Sequence, residues 1–452
     1  MNKWTVHITD FGKIKKADIQ VAPLTFFVGD NNSGKSYMMT LIYGLLNLRI
    51  YFDKYVIDYE ASTYQRCLPI LEQMLQKASD AESTVYCLQK KEIKVFQDCL
   101  NEILYHNKKK FFTSLFNKDI DIHEWKISFE DESDYKLVFD QVYNTEQEQD
   151  MFMIYGLKDS GSIMSGYGIP KEELEDRRKW DFLIAYIMEY MLKKDFVNGS
   201  YEKAVYFPTA RSGFLLSYKS LVQSAMQNKF NLNQDEKNLL TRPNSDFLTM
   251  LSSMSIEHPN HKYDEVIAFM EQKLINGHVG ITSLPSQDIL YTPQGEDKDL
   301  PMFLSSGVVT ELTPVLLFLK YVNMGTMLIE EPEISLHPRL QWEMARVLIR
   351  LVNMDIPVLV TTHSDIIVQH LNNMVKLNDY SKKSGEKLLA DYEKVDLIAQ
   401  ERTNVYQFEV MNDRKTLVTK LPCGEYGYEA MTFYKTLRAL NDQVDEIENL
   451  ED

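Results

Sequence analysis

The N-terminal part of the chain alternates polar and apolar positions in short runs. Residues 5–8, 17–21 and 24–28 predict two or three short strands, with a turn at residues 11–13. The apolar residues that follow recur at three- and four-residue spacing and predict a helix; they include Met38, Met39, Leu41, Ile42, Leu45 and Leu46. The chain is therefore expected to pass from strands, through a short polar loop, into a helix.

The pattern changes between about residue 49 and residue 200. Long charged segments there carry apolar residues at helical spacing, such as Leu68, Leu71, Met74 and Leu75. This predicts an inserted, mostly helical subdomain over residues 49–200. Within it, the alternating runs 125–129 and 135–139 suggest a hairpin across residues 131–133.

Strand character returns in the second half of the chain. Residues 204–208 predict a strand within a return segment, 201–217, and residues 218–277 predict a second helical insertion. From residue 278 to residue 440 short apolar runs alternate with helical patterns, and an acidic tail, 441–452, is expected to fray. With residues 1–48 as the N-terminal lobe, this order predicts an α/β fold with a parallel or mixed sheet and covering helices.

The C-terminal part of the chain is predicted to contain several short strands, a hairpin and a final helix. They are short strands at 289–291 and 302–304, buried strands at 326–329 and 357–361, a hairpin of 405–408 with 416–418, and a final helix over 429–440.

Composition limits the classes of function. Of 452 residues, 49 are Lys or Arg and 66 are Asp or Glu, so the net charge of −17 gives no global attraction to nucleic acid. Contact with DNA or RNA would need a local patch; the basic runs 108–110, 177–179 and 382–383 are candidates, although solvated helix ends explain them more simply.

Compartment and metal chemistry are also constrained. The four cysteines have no C-x-x-C spacing, which predicts free thiols in a reducing cytoplasm. The N-terminus does not resemble a signal peptide, and the most apolar stretch, 312–322, is too short to span a bilayer. We expect a cytoplasmic protein without a membrane segment.

The polar loop before the first helix has the sequence G-D-N-N-S-G-K-S, which fits the pattern G-x-x-x-x-G-K-[ST]. Its glycines let the backbone approach an anion, and the helix start supplies N–H donors. Lys35 is expected to reach the β- and γ-phosphates of ATP, and the Ser36 hydroxyl to ligate Mg²⁺. The predicted nucleotide contacts are Gly29, Asn31, Asn32, Ser33, Gly34, Lys35 and Ser36. A simple turn between a strand and a helix is the alternative.

Two buried strands end in polar residues. The run 326–329 is followed by Glu330, Glu331, Pro332 and Glu333. Ligands of open α/β sheets bind at the carboxyl ends of the strands. We therefore expect Glu330 to hold Mg²⁺ and Glu331 to orient or deprotonate the attacking water, with an acidic surface turn as the alternative.

The run 357–361 leads into His363, which can hydrogen-bond a γ-phosphate or serve as a structural cap. A further anion-binding pattern, Ser305, Ser306 and Gly307, precedes an apolar helix, although an ordinary N-cap explains the serines equally well. A second phosphate site in one chain suggests an ATP that is shared between two chains.

The motifs occur in the order phosphate loop, L-S-S-G-V, L-I-E-E-P-E-x-x-L-H-P and T-T-H-S. This order resembles the ABC-type ATPase heads of the SMC, RecF and OLD (overcoming lysogeny defect) group, and above all the RecF/OLD-like ATPases of bacterial anti-phage systems. The resemblance covers roughly residues 1–48, 200–217 and 278–440, and not the insertions. It implies an ABC-type P-loop NTPase head.

The resemblance also implies roles for particular residues. Residues 304–308 match the signature loop, which contacts the γ-phosphate of ATP held by a partner chain. Residues 335–338 match the segment that lines the dimer seam, and His363 matches the switch histidine. Arg211, in Y-F-P-T-A-R, resembles an arginine near the nucleotide.

By the same resemblance the chain is an ATPase that forms a homodimer around ATP, with higher oligomers left open, and works with a separately encoded effector, a nuclease or toxin. A DNA-engaging repair ATPase is an alternative. An OLD-like nuclease is disfavoured because no Asp-x-Asp follows His363. Ser306 and Val308 replace the Gly and Gln usual in transporters, which disfavours a transport subunit, and a scaffold with slow hydrolysis stays open.

Overall fold

The chain is seen in a computed structural model that describes residues 4–130, 134–144, 149–158, 161–164, 166–174, 176–196, 202–228, 240–282, 288–383 and 388–448. It folds into two compact units. Unit 1 comprises Met1–Phe11, Asp18–Val21 and Thr40–Ala204, and unit 2 comprises Gly12–Ala17, Ala22–Met39 and Val205–Asp452.

The strands, in chain order, are β1 (Trp4–Phe11), β2 (Ile14–Gln20), β3 (Leu24–Gly29), β4 (Ser83–Cys87), β5 (Glu124–Phe129), β6 (Lys136–Asn144), β7 (Gln149–Leu157), β8 (Tyr167–Pro170), β9 (Lys203–Phe207), β10 (Gly277–Ile281), β11 (Ile289–Pro293), β12 (Leu300–Pro301), β13 (Met324–Glu330), β14 (Val358–Thr362), β15 (Thr403–Val410), β16 (Thr416–Lys420), β17 (Cys423–Gly424) and β18 (Gly427–Tyr428).

The α-helices are α1 (Lys35–Leu46), α2 (Ser62–Ser79), α3 (Lys90–His106), α4 (Lys108–Phe116), α5 (Arg177–Lys193), α6 (Arg211–Asn228), α7 (Arg242–Ser252), α8 (Asp264–Met270), α9 (Gly307–Tyr321), α10 (Pro338–Asn353), α11 (Asp365–Lys383) and α12 (Met431–Glu448). No helix in the described part of the chain is long and apolar enough to cross a membrane.

Unit 2 is built around a mixed sheet with the strand order β2-β16-β15-β3-β14-β13-β9. Only part of β2 and part of β9 belong to this unit. The central strands β15, β3, β14 and β13 are parallel, and β16 pairs antiparallel with β15. Every residue of β3, β13 and β14 is buried. Such continuous apolar runs are typical of strands covered by helices on both faces. The predicted α/β fold is confirmed.

Helices α9, α10 and α11 supply much of the core of unit 2. Helix α10 begins with Pro338 at its first turn, where a missing N–H is harmless, and buries a stripe at three- and four-residue spacing. Leu312 and Leu316 of α9 and Leu371 of α11 join the same core. These helices fix the segments that lead into and out of the central strands.

Unit 1 combines helices α2 to α5 with an antiparallel sheet in the order β4-β6-β7-β8, and β1 pairs antiparallel with β5. Tyr190 of α5 connects helix and sheet because its hydroxyl oxygen lies 2.9 and 2.6 Å from the carbonyl oxygens of Lys136 and Leu157. The segment 49–200 therefore carries a four-stranded sheet in addition to its predicted helices.

Several local predictions are confirmed and others are wrong. The three N-terminal strands and the β15–β16 hairpin form as predicted. The predicted hairpin of 125–129 with 135–139 is wrong, since β5 pairs with β1 whereas β6 pairs with β4 and β7; its turn, 131–133, lies outside the described residues.

Two further segments differ from their predictions. Residues 302–304 form a 3₁₀ turn rather than a strand. Helix α12 continues to Glu448 and so includes the first part of the acidic tail, whose last residues, 449–452, are outside the described part.

Candidate functional site

Three neighbouring parallel strands bring the sequence motifs to one edge of the sheet in unit 2. Strand β3 ends in the loop from Gly29 to Ser36, β14 ends just before His363, and β13 ends at Glu330. The register pairs Glu330 with Thr361 on the next strand. Because β14 lies between β3 and β13, all three motifs emerge side by side at the carboxyl ends of the strands.

The loop after β3 needs its two glycines. Gly29 has a φ of 132°, and a Cβ atom there would lie 2.1 Å from the carbonyl oxygen of Phe408. Gly34 has a φ of 98°, and its Cβ would lie 2.9 Å from the Ile14 side chain. Any larger residue would clash or strain the backbone. The loop is therefore a tight turn whose backbone geometry requires glycine at both positions.

Lys35 begins α1 and folds back over the loop. Its Nζ atom donates to the carbonyl oxygens of Gly29 and Asp30 at 3.0 and 2.7 Å. Burial lowers the pKa of Lys35 to about 8, although nearby carboxylates, Glu331 first, favour its charged form. The amine is thus protonated at neutral pH and held at the mouth of the loop. Asn31, Asn32 and Ser36 are exposed, whereas Ser33 is buried.

Glu330 is almost fully buried, and its two carboxylate oxygens differ. Oε2 accepts a hydrogen bond from the Thr209 hydroxyl at 3.0 Å. Oε1 is buried and has no hydrogen-bond partner among the residues that the structure describes. An unsatisfied buried carboxylate oxygen is costly, and a cation is a suitable partner for it. The donor set, with the exposed Ser36 hydroxyl, fits Mg²⁺.

Glu331 follows directly and has an unusual backbone. Its φ is 44°, in the left-handed region, which costs on the order of 1–3 kcal/mol for a residue other than glycine. Its N–H donates to the carbonyl oxygen of Thr361 at 2.8 Å. Burial, followed by the charge of Glu330, raises the pKa of Glu331. The carboxyl group is therefore a stronger base than an ordinary glutamate.

His363 faces this carboxylate, with 3.7 Å between its Nε2 atom and Oε1 of Glu331. Burial and then the charge of Lys35 lower the pKa of His363 to about 4, so the ring is neutral at physiological pH. Its backbone N–H donates to Oε1 of Glu333 at 2.6 Å. A neutral imidazole offers one donor and one acceptor beside the glutamate.

Arg211 lies deeper than a nucleotide contact would. Its side chain is 0% exposed, and its guanidinium group donates to the carbonyl oxygens of Pro208, Glu330, Glu331 and Glu311 at 3.2, 2.6, 3.0 and 3.3 Å. Nε also lies 3.2 Å from the Glu311 carboxylate. The structure thus gives Arg211 a role in holding the backbone of the glutamate pair.

The segment Ser305, Ser306 and Gly307 starts α9, where the Ser306 hydroxyl accepts a weak hydrogen bond from the N–H of Val309 at 3.4 Å. A Cβ atom on Gly307 would lie 3.3 Å from the Ser335 hydroxyl. In the described part of the chain, no hydrogen bond or ion pair joins this segment to the loop from Gly29 to Ser36. The structure therefore brings the loop, the glutamate pair and His363 together, and leaves this segment beside Ser335.

Three contributors to the site were missed by the sequence predictions. Thr209 binds the Glu330 carboxylate, Glu333 caps the His363 amide, and Glu311 pairs with Arg211. Thr209 and Glu333 belong to short motifs, P-T-A-R and E-E-P-E, that the sequence does single out. Glu311 has no local signal, because it lies in an apolar helix and its partner is distant in the chain.

A glycine-rich loop with a buried lysine, at a strand-to-helix junction beside two carboxylates, defines a P-loop nucleoside triphosphatase. The AAA ATPase domain family matches residues 3–368, most of the chain, so the protein belongs to this family and is an ATPase.

Solved structures similar to the chain include the SMC head domain from Thermotoga maritima, at 12% identity and a TM-score of 0.33, covering 93% of this chain and 100% of that one. An Smc head with an extended coiled coil, bound to the C-terminal domain of ScpA and derived from Pyrococcus furiosus, has 13% identity and a TM-score of 0.33, covering 98% and 99%. Comparison with curated proteins gave no match.

Proposed function

We propose that the protein is an ATP-dependent switch in which two chains close around ATP and separate after hydrolysis. In each pocket the loop from Gly29 to Ser36 binds the phosphates, with Lys35 facing the β- and γ-phosphates. Ser305, Ser306 and Gly307 of the partner chain complete the pocket. The support for a shared pocket is that this capped helix start has no hydrogen bond to the loop of its own chain within the described residues.

Hydrolysis is assigned to Glu331 as the general base. Its carboxylate takes a proton from the attacking water, whose oxygen bonds to the γ-phosphorus while the bond to the β–γ bridging oxygen breaks and ADP leaves. Mg²⁺, held by Ser36 and Glu330, would neutralise phosphate charge when bound. The neutral ring of His363 accepts from or donates to the water and the γ-phosphate without removing the proton itself. The single observation behind this assignment is the Glu331 carboxylate 3.7 Å from a neutral His363 at the sheet edge.

The biological setting rests on the resemblance of the motif order to that of ATPases in bacterial anti-phage systems, and we propose a cytoplasmic sensor or scaffold in anti-phage defence. A separately encoded effector, a nuclease or a toxin, would respond to the closed dimer. ATP favours the closed state because it contacts both chains there and only one chain in the open state.

The test compares wild type with Glu331→Gln in ATP. The glutamine keeps the size of the side chain and removes its basicity. We expect Glu331→Gln to bind ATP as tightly as wild type, to lose hydrolysis, and to elute as a dimer in size-exclusion chromatography. Hydrolysis at the wild-type rate would show that another group is the base.

A nucleic-acid-engaging function is the second candidate, because one surface of unit 1 combines lysines with tyrosines. Lys54 lies 4.7 Å from the Tyr51 ring centre and Lys110 lies 5.4 Å from that of Tyr55. Such surfaces suit single-stranded nucleic acid. Fluorescence anisotropy with a single-stranded oligonucleotide checks this. Reversing the charge at the exposed Lys109 should weaken any binding.

A further inference from the structure

Arg211 is the most completely buried charged residue around the glutamate pair, and its position is explained by neither phosphate binding nor an exposed surface. It is the first residue of α6, directly after β9, which neighbours β13 in the sheet. Its guanidinium group reaches the carbonyl oxygens of both Glu330 and Glu331, at 2.6 and 3.0 Å. A buried guanidinium must be neutralised and hydrogen-bonded to be tolerated.

The required counter-charge comes from α9. The Glu311 carboxylate, itself almost fully buried, lies 3.2 Å from Nε of Arg211 and also accepts a hydrogen bond from the Ser212 hydroxyl. Glu311 is on the same helix as the Ser306 cap, a little more than one turn further along. Two contacts thus connect α9, through Arg211, to the backbone of Glu331.

The backbone of Glu331 needs this support. Its positive φ persists only where neighbouring groups hold it. Its N–H is bound by Thr361, and the carbonyl oxygens of Glu330 and Glu331 are bound by Arg211. Arg211 therefore helps to determine where the Glu331 carboxylate points.

We propose that Arg211 and Glu311 form a positioning clamp, in which Arg211 fixes the backbone of Glu330 and Glu331 and Glu311 ties that backbone to the helix that begins at Ser306. Through the clamp, the direction in which the Glu331 carboxylate points depends on the position of α9. Engagement of the Ser306 segment would then be transmitted to the base of the same chain. This inference rests on the proposed role of Glu331.

The test uses Arg211→Lys, which keeps the charge but cannot reach two carbonyl oxygens and a carboxylate at once. We expect kcat for ATP hydrolysis to fall about 100-fold, as for a misplaced catalytic group, with the KM for ATP unchanged. In the absence of nucleotide, hydrogen exchange of the backbone over residues 324–336 should become faster.

Arg346→Lys is the matched control. Arg346 is also a nearly buried arginine of unit 2, paired with Asp396 at 2.8 Å, but its partners lie outside the nucleotide site. This variant should lose thermal stability and keep kcat and exchange over residues 324–336. If Arg211→Lys lowers kcat no more than Arg346→Lys and leaves that exchange unchanged, the clamp is refuted.

Two milder variants keep the proposal testable if Arg211→Lys does not fold. Glu311→Gln removes the negative charge that neutralises Arg211. Ser212→Ala removes the hydroxyl that donates a hydrogen bond to the Glu311 carboxylate. Both should lower kcat and speed exchange over 324–336, Glu311→Gln more strongly; wild-type values in both refute the clamp.

The experiments distinguish a wrong assignment of Glu331 as the base from a wrong assignment of Arg211 and Glu311 as the clamp. Wild-type hydrolysis in Glu331→Gln refutes the base, while the exchange measurement on nucleotide-free protein still decides whether Arg211 holds this backbone.

Discussion

At the scale of single residues, we expect Lys35 to contribute most directly to nucleotide affinity. It is a buried amine whose acceptors are carbonyl oxygens of its own loop. Lys35→Ala should weaken ATP binding by about 100-fold or more, because charge-assisted hydrogen bonds to phosphate are lost. Titration calorimetry measures this. Lys15→Ala is the control, since Lys15 of the same unit is exposed and 3.6 Å from an exposed Asp413, and its affinity for ATP should match wild type.

His363 gives a prediction for the dependence of stability on pH. Its pKa is about 4 in the folded protein against an ordinary value of 6.5. Between these values the unfolded state binds more protons, so the free energy of unfolding is highest above pH 6.5 and falls as pH drops towards 4. His370, whose pKa burial also lowers to about 4, acts in the same direction.

The check is urea unfolding at pH 7 and pH 5. His363→Gln should show a smaller loss of stability between the two pH values than wild type. An equal pH dependence in His363→Gln and wild type would mean that His363 is not held neutral in the folded state.

At the scale of elements, the junction of β3 and α1 is constrained by backbone contact. In Gly29→Ala, the ideal position of the added Cβ atom lies 2.1 Å from the carbonyl oxygen of Phe408, which is a clash. The substitution would also strain the backbone, because φ at this position is 132°. We expect a loss of more than about 1 kcal/mol in the free energy of unfolding, together with weaker ATP binding.

Gly213→Ala is the matched control for this prediction. Gly213 lies in α6, where an added Cβ atom meets nothing within 4 Å. Alanine is favoured over glycine within a helix by about 0.5–1 kcal/mol, so this variant should be as stable as wild type or more stable. Thermal unfolding distinguishes the two glycines.

The elements also show what sequence can predict here. Central strands such as β13 and β14 are short apolar runs with polar residues after them, so both the strands and the candidate residues at their ends follow from local patterns. The pairing of β5 with β1 does not follow from local patterns. The alternation of polar and apolar residues in β5 fits any antiparallel neighbour, and β1 is far away in the chain. The same limit applies to Arg211, because the motif that contains it indicates its proximity to the site and not its depth.

At the scale of the whole molecule, the proposed dimer predicts complementation. Lys35→Ala keeps an intact Ser306 segment, and Ser306→Arg keeps an intact phosphate loop while blocking the helix start. Each variant alone should be inactive. Mixing them should restore ATP hydrolysis. In a dimer that contains one chain of each variant, one of the two pockets combines the intact phosphate loop of one chain with the intact Ser306 segment of the other. A mixture as inactive as its components would indicate that each pocket belongs to one chain.

The strand that carries the phosphate loop has a consequence for biosynthesis. Leu24, at the start of β3, is paired with Val358 on one side and Thr403 on the other. These partners leave the ribosome long after β3 does. A nascent chain therefore holds its loop motif without the sheet that shapes it, and a truncated translation product should neither sequester ATP nor join the proposed dimer. Competence to bind nucleotide is expected to arise late in synthesis.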